Sequence, residues 1–102
     1  MGSAKTHIFS STQQSFARTA KAISHPARVA IIQYLFHEHA ATNKQLNAVT
    51  QLSEATVHQH LTVLLRTELI EGAFIGHQHY YRLTSKAIEQ VDRLKNIWEG
   101  SV

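Results

Sequence analysis

Apolar residues in this 102-residue chain recur mainly three and four positions apart, the spacing of one face of an α-helix, and only near residues 70–83 does the rhythm change. Phe16, Ala20 and Ile23 predict a short amphipathic helix across Ser11 to Ser24. Ser24-His25-Pro26 then restarts the chain, since proline suits a first helical turn and the serine before it is expected to cap. From Pro26 to about Glu38, Val29, Ile32, Leu35 and Phe36, with Ile31 beside them, make a stripe wide enough for a central core helix. Thr42-Asn43-Lys44-Gln45 is a capping-box pattern opening a helix through Val49, with Leu46 and Val49 expected inside. After a turn at Thr50-Gln51-Leu52, Ser53 caps a helix to about Thr67 whose inward residues are Val57, Leu61, Leu64 and Leu65. Glu71 to Leu83, with Gly76 between aromatic and β-branched flanks, reads as a hairpin. Thr84 or Ser85 caps a last helix with Ala87, Val91, Leu94 and Trp98 in one stripe and Ile88 at its flank.

These elements predict a mostly α domain with a small β-hairpin, in the order α1-α2-α3-α4-β-β-α5. Two short helices joined by a tight turn, followed by a hairpin, define a winged helix-turn-helix. Residues 1–102 are expected to form one domain, with a flexible leader at 1–10, the helix-turn-helix at 42–67, the wing at 70–83 and the last helix at 84–99. A terminal stripe carrying Trp98 is buried more easily against a second copy than within so small a domain.

Ten Lys+Arg against seven Asp+Glu give a net charge of +3, a mild bias toward a polyanionic partner that a dimer would double. The absence of cysteine excludes disulfides, thiolate metal sites and thiol nucleophiles. No apolar run approaches a membrane span and the start lacks a signal-peptide core, so the expected setting is cytoplasmic, with no membrane partner. No nucleophile motif, phosphate loop or paired acid supports an enzyme, and no cofactor is implied.

With Val57, Leu61 and Leu64 turned inward, successive steps of about 100° place Ala55, Thr56, Gln59, Thr62, Val63 and Arg66 outward on the fourth helix, with His58 and His60 on its flanks. That face is polar and nearly uncharged, which suits the edges of bases better than phosphates. Glutamine pairs two-point with adenine, threonine contacts a thymine methyl, and imidazole donates to guanine or phosphate.

Three blocks resemble the ArsR/SmtB-type repressors: Ala22 to Ile32 around Pro26 and Arg28, Leu52 to Leu64, and Leu69-Ile70-Glu71 with Gly76 to Leu83 ending in Tyr80-Tyr81-Arg82-Leu83. The resemblance implies a homodimer through the first and last helices that binds an inverted-repeat operator in double-stranded DNA and is released by an inducer whose identity is unknown. Carried over by position, Thr56, His58, Gln59 and His60 would read DNA, with His77 and Gln78 at the wing tip. Adding the start of the helix and its outward face, the candidate DNA-binding set is Ser53, Ala55, Thr56, His58, Gln59, His60, Thr62, His77 and Gln78. The candidate dimer interface is Phe16, Ala20, Ala87, Val91, Leu94 and Trp98.

Eight histidines include three His-x-His pairs. In helices such pairs diverge, so only His77/His79, if both lie on a strand, share a face suited to one metal ion. The metal-ligand types usual in the resembled family, cysteines or Asp and His on the last helix, are missing, and no metal site is assigned. Three other readings stay open at this level. They are a His-based metal-responsive repressor, a pH-responsive binder strengthened by histidine protonation, and a winged-helix interaction module that has lost DNA binding. The last draws on Glu54 and on the scarcity of Lys and Arg along the outward helix face.

Overall fold

Helix starts organise this chain. A computed structural model describes the backbone of residues 8–98 and the side chains of residues 8–94. Ser10 and Gln13 form a reciprocal capping box that opens α1 (Ser11–Ala22), and Thr42 and Gln45 do the same for α3 (Asn43–Thr50). Between them, α2 spans Pro26–Glu38. Its cap is His25, not the expected Ser24. A residue before proline is held in extended backbone, here φ −106° and ψ 129°, and from that position the His25 Nδ1 accepts from the Ala27 amide at 3.1 Å. The Ser24 hydroxyl instead donates to the Lys21 carbonyl at 2.7 Å.

Ser53 caps α4 (Glu54–Arg66), the antiparallel hairpin pairs β1 (Ile70–Ile75) with β2 (Gln78–Leu83), and Thr84 caps α5 (Ser85–Trp98) by accepting from the Ala87 amide. This is the winged helix-turn-helix order. Of the expected leader, residues 1–7 lie outside the described residues, while Ser10 already belongs to the α1 cap.

The core is one cluster in which Ile31, Leu35, Leu46, Val57, Leu61 and Leu64 are fully buried, joined by Leu69, Ile70, Tyr81, Leu83, Ala87 and Val91. Each buried Val, Leu or Ile contributes roughly 1.5–3 kcal/mol through removal from water. Two expected core residues fall at its edge: Val49 is 39% exposed in the last turn of α3, and Leu65 is 38% exposed near the end of α4. Both sit in the last turn of their helix.

A pairing that no hydrophobic rhythm announces joins Ala41 to Tyr81. The Ala41 amide donates to the Tyr81 carbonyl at 3.0 Å, and the Tyr81 amide returns a bond of 2.8 Å. The link between α2 and α3 thus forms a one-residue third strand beside the wing.

Candidate nucleic-acid interface

Gln51 makes the turn between α3 and α4, in left-handed backbone with φ 59°, and its amide closes α3 on the Asn47 carbonyl at 2.8 Å. Ser53 then starts α4 by accepting from the Thr56 amide at 3.2 Å. The Ser53 hydroxyl also donates to Thr56 Oγ1 at 3.0 Å. The two hydroxyls therefore work as a unit, and the proton of the Thr56 hydroxyl is the one left to donate outward.

Ser53, Ala55, His58 and Gln59 are exposed, and Thr56 and Thr62 are half-buried on the same helix. Thr62 donates its hydroxyl back to the His58 carbonyl at 2.9 Å, which leaves mainly its methyl and a lone pair for an outside partner. The exposed start of α4 is thus lined with short polar side chains, with Gln59 the longest neutral donor-acceptor among them.

His60 is not on this face, and the expectation that it flanks the reading surface is corrected. It is 8% exposed and accepts from Arg28 Nε through Nδ1 at 3.1 Å. Its ring lies 4.5 Å from that of His25, centroid to centroid. Arg28 also donates to the Ala22 carbonyl at 3.1 Å, so His25, Arg28 and His60 join the end of α1, the start of α2 and the middle of α4. Burial pushes the His60 imidazole below the ordinary histidine value, and the charges of His25 and Arg28 push it the same way. The signal was present in sequence: at about 100° per residue, His60 stands only about 60° from the inward direction set by Val57, Leu61 and Leu64.

The wing turns through Gly76 and His77, with Ile75 paired to Gln78. Gly76 has φ 65° and His77 does not share that conformation, a pattern that fits a II′ turn matched to strand twist. His77 and Gln78 are both exposed at the tip, as expected. His77 lies in the turn and not on a strand, so it does not share a strand face with His79. The His79 ring is stacked on Phe74 at 4.7 Å and tilted against Tyr81 at 4.7 Å. It also lies over Gly72, where an added Cβ would come within 2.6 Å of its Nε2. Among the described residues, no group of three His, Asp or Glu side chains is placed to hold a metal ion.

Sequence alone did not single out Phe74 and Ile75, which stand 73% and 64% exposed near the wing tip. Arg82 forms a 2.9 Å ion pair with Glu71 directly across the hairpin and braces it.

The expected dimer residues divide. Phe16, at 75% exposure, Ala20 and Leu94 line one groove of about 700 Å³ between α1 and α5. Ala87 and Val91, at 1% and 8%, are buried inside the protomer, so placing them at a subunit surface is corrected. They belong to the buried cluster and lie near residues of α1 and α2 and Leu69 of the α4–β1 link. The side chain of Trp98 lies outside the described residues.

The fold is a winged helix-turn-helix in which the start of the fourth helix is exposed. Residues 25–71 match the family model described as bacterial regulatory protein, arsR family. The transcriptional repressor PagR of Bacillus anthracis is 28% identical over 80 residues, which cover 78% of this chain and 80% of PagR. The crystal structure of the transcriptional repressor BigR from Xylella fastidiosa superposes with a TM-score of 0.77 at 27% identity, covering 88% of this chain and 89% of that one. A solution structure of Mb0332 from Mycobacterium bovis, described as a homodimeric winged helix-turn-helix DNA-binding domain, gives a TM-score of 0.74 at 20% identity over 87% of this chain and 82% of that one.

Proposed function

We propose that this chain is a transcriptional repressor that binds an inverted-repeat site in double-stranded DNA as a homodimer. The observation that carries the reading is the exposed start of α4, free of covering elements, with the wing tip projecting from the same domain. Thr56, His58 and Gln59 enter the major groove, Ser53, Ala55 and Thr62 border them, and His77 and Gln78 reach the flanking backbone or minor groove. The match of residues 25–71 to the arsR-family model and the similarity to two repressors support this assignment.

The groove containing Phe16, Ala20 and Leu94 is the subunit interface. Its exposed aromatic and aliphatic side chains suit burial against a second copy, and the homodimeric Mb0332 domain shares the fold. Pairing brings two copies of α4 to one duplex and adds their positive charge. No helix among the described residues is long and apolar enough to cross a membrane, and a DNA ligand supports a cytoplasmic setting.

Selection of bound sequences from a random duplex pool tests the proposal. An inverted repeat, with affinity falling steeply as salt is raised, is the expected result. If no duplex binds even in low salt, the fold serves protein contacts and the proposal is lost.

A further inference from the structure

Beyond the ion pair of Glu71 with Arg82, the hairpin carries no Lys, Arg, Asp or Glu from residue 72 to residue 81. A wing built to neutralise phosphates carries Lys or Arg toward its tip, and this one does not. It presents Phe74 and Ile75 instead, 73% and 64% exposed beside the Gly76 turn. Neither lines the α1–α5 groove assigned to the second subunit.

Both side chains are held ready. Phe74 pairs across the strands with His79, and the two rings stack at 4.7 Å with 19° between their planes. His79 tilts in turn against Tyr81, which is buried in the core, and lies over Gly72, where a Cβ would come within 2.6 Å of it. A row of three rings thus runs from the core to the tip, and its last member keeps most of its surface in water. Ile75, stiff at χ1, pairs with Gln78 on the opposite face of the hairpin. Side chains already fixed in place lose little freedom when a partner covers them.

We propose that Phe74 and Ile75 enter the minor groove beside each half-site as an apolar wedge, packing on deoxyribose and partly unstacking one base step, so that the duplex bends toward its major groove. The inference rests on the DNA-binding reading and deepens it. Such a wedge selects flanking sequence by how easily it deforms and favours pyrimidine–purine steps such as TA. An uncharged contact also releases no counterions, so it adds affinity without adding salt dependence.

The test uses the full-length protein and the inverted-repeat duplex recovered by selection, with 2-aminopurine at successive flanking positions and a donor–acceptor dye pair at the ends. The expected result is brightening of 2-aminopurine at one flanking position and a shorter end-to-end distance on binding. Phe74→Ala should weaken binding about ten- to a hundredfold, the range for burial of one such ring, and should abolish brightening and bending while the slope of log affinity against log salt stays the same. Ile75→Ala, which leaves the ring stack in place, should act in the same direction and decides alone if Phe74→Ala fails to fold. Phe74→Lys should regain affinity in low salt with a steeper slope and still bind without brightening. Duplex binding by the parent protein without brightening or bending overturns the wedge and leaves the repressor reading intact. So does a folded Phe74→Ala that matches the parent, lowers the salt slope or loses subunit association. A parent protein that binds no duplex in low salt sinks both.

Discussion

Arg28 donates through Nε to Nδ1 of His60 at 3.1 Å, and this bond ties α2 to α4 across 32 residues of sequence. It requires His60 to be neutral, because a doubly protonated imidazole has no lone pair to accept with.

Acid should therefore weaken the protein. The folded-state pKa of His60 lies below the ordinary value of 6.5, so the unfolded chain takes up its proton first. The stabilising contribution is complete above about pH 6.5 and is lost as the pH falls through that value toward the folded pKa. The facing groups His25 and Arg28 act on His60 in the same direction. Chemical denaturation at pH 7.5 and 5.5 should show the loss, and a smaller one in His60→Gln. Stability independent of pH over that interval would contradict the role assigned to His60.

Replacing His60 by Ala at pH 7.5 leaves the Arg28 donor without its partner in a half-buried site. A loss of about 1–3 kcal/mol in unfolding free energy is expected. His58→Ala, at an exposed position of the same helix, should change stability by less than about 0.5 kcal/mol and act on DNA affinity instead.

Gln59→Ala should weaken specific duplex binding by about 1–3 kcal/mol and relax the preference at one base pair of each half-site, leaving the oligomeric state unchanged. Fluorescence anisotropy against a panel of single-base operator variants measures both effects. Equal affinities for mutant and parent across the panel would remove Gln59 from the reading surface.

Phe16→Ala and Val91→Ala separate the exposed groove between α1 and α5 from the core beneath α5. Phe16 is exposed in the protomer, so its truncation should loosen subunit association, by about 1.5–3 kcal/mol if the ring is buried there, with little effect on folding at high protein concentration. Val91 is buried within its own chain, and its truncation should lower the unfolding free energy by about 1–3 kcal/mol. Sedimentation over a concentration series, set beside denaturation, distinguishes the outcomes.

Gly72→Ala forces a Cβ into the space held by the His79 imidazole, which is itself held by Phe74 and Tyr81. A destabilisation of roughly 1–3 kcal/mol is expected, the range for overpacking. The double replacement Gly72→Ala, His79→Ala should recover part of it, and strictly additive losses would mean the ring moves aside freely.

What could be foreseen from the residues follows the range over which each interaction acts. The boxes of Ser10 with Gln13 and Thr42 with Gln45 involve neighbours three apart, so their chemistry is visible in the string of letters. The two-residue turn at Gly76 is local for the same reason. His60 stands about 60° from the inward direction of α4, at the boundary between its faces, and only the packing of His25 and Arg28 against it decides that it is covered. The split of the α5 stripe was not legible, since Val91 and Leu94 share a helical face and only the neighbouring chain segments decide which of them is covered. The pairing of Ala41 with Tyr81 spans 40 residues and leaves no trace in any local pattern.

That same pairing bears on how the protein lets go of DNA. Two backbone bonds rivet the start of the helix-turn-helix to the middle of the second wing strand, so neither half swings independently of the other. On the proposed DNA-binding reading, the contacts made by α4 and those made by the wing belong to one rigid unit.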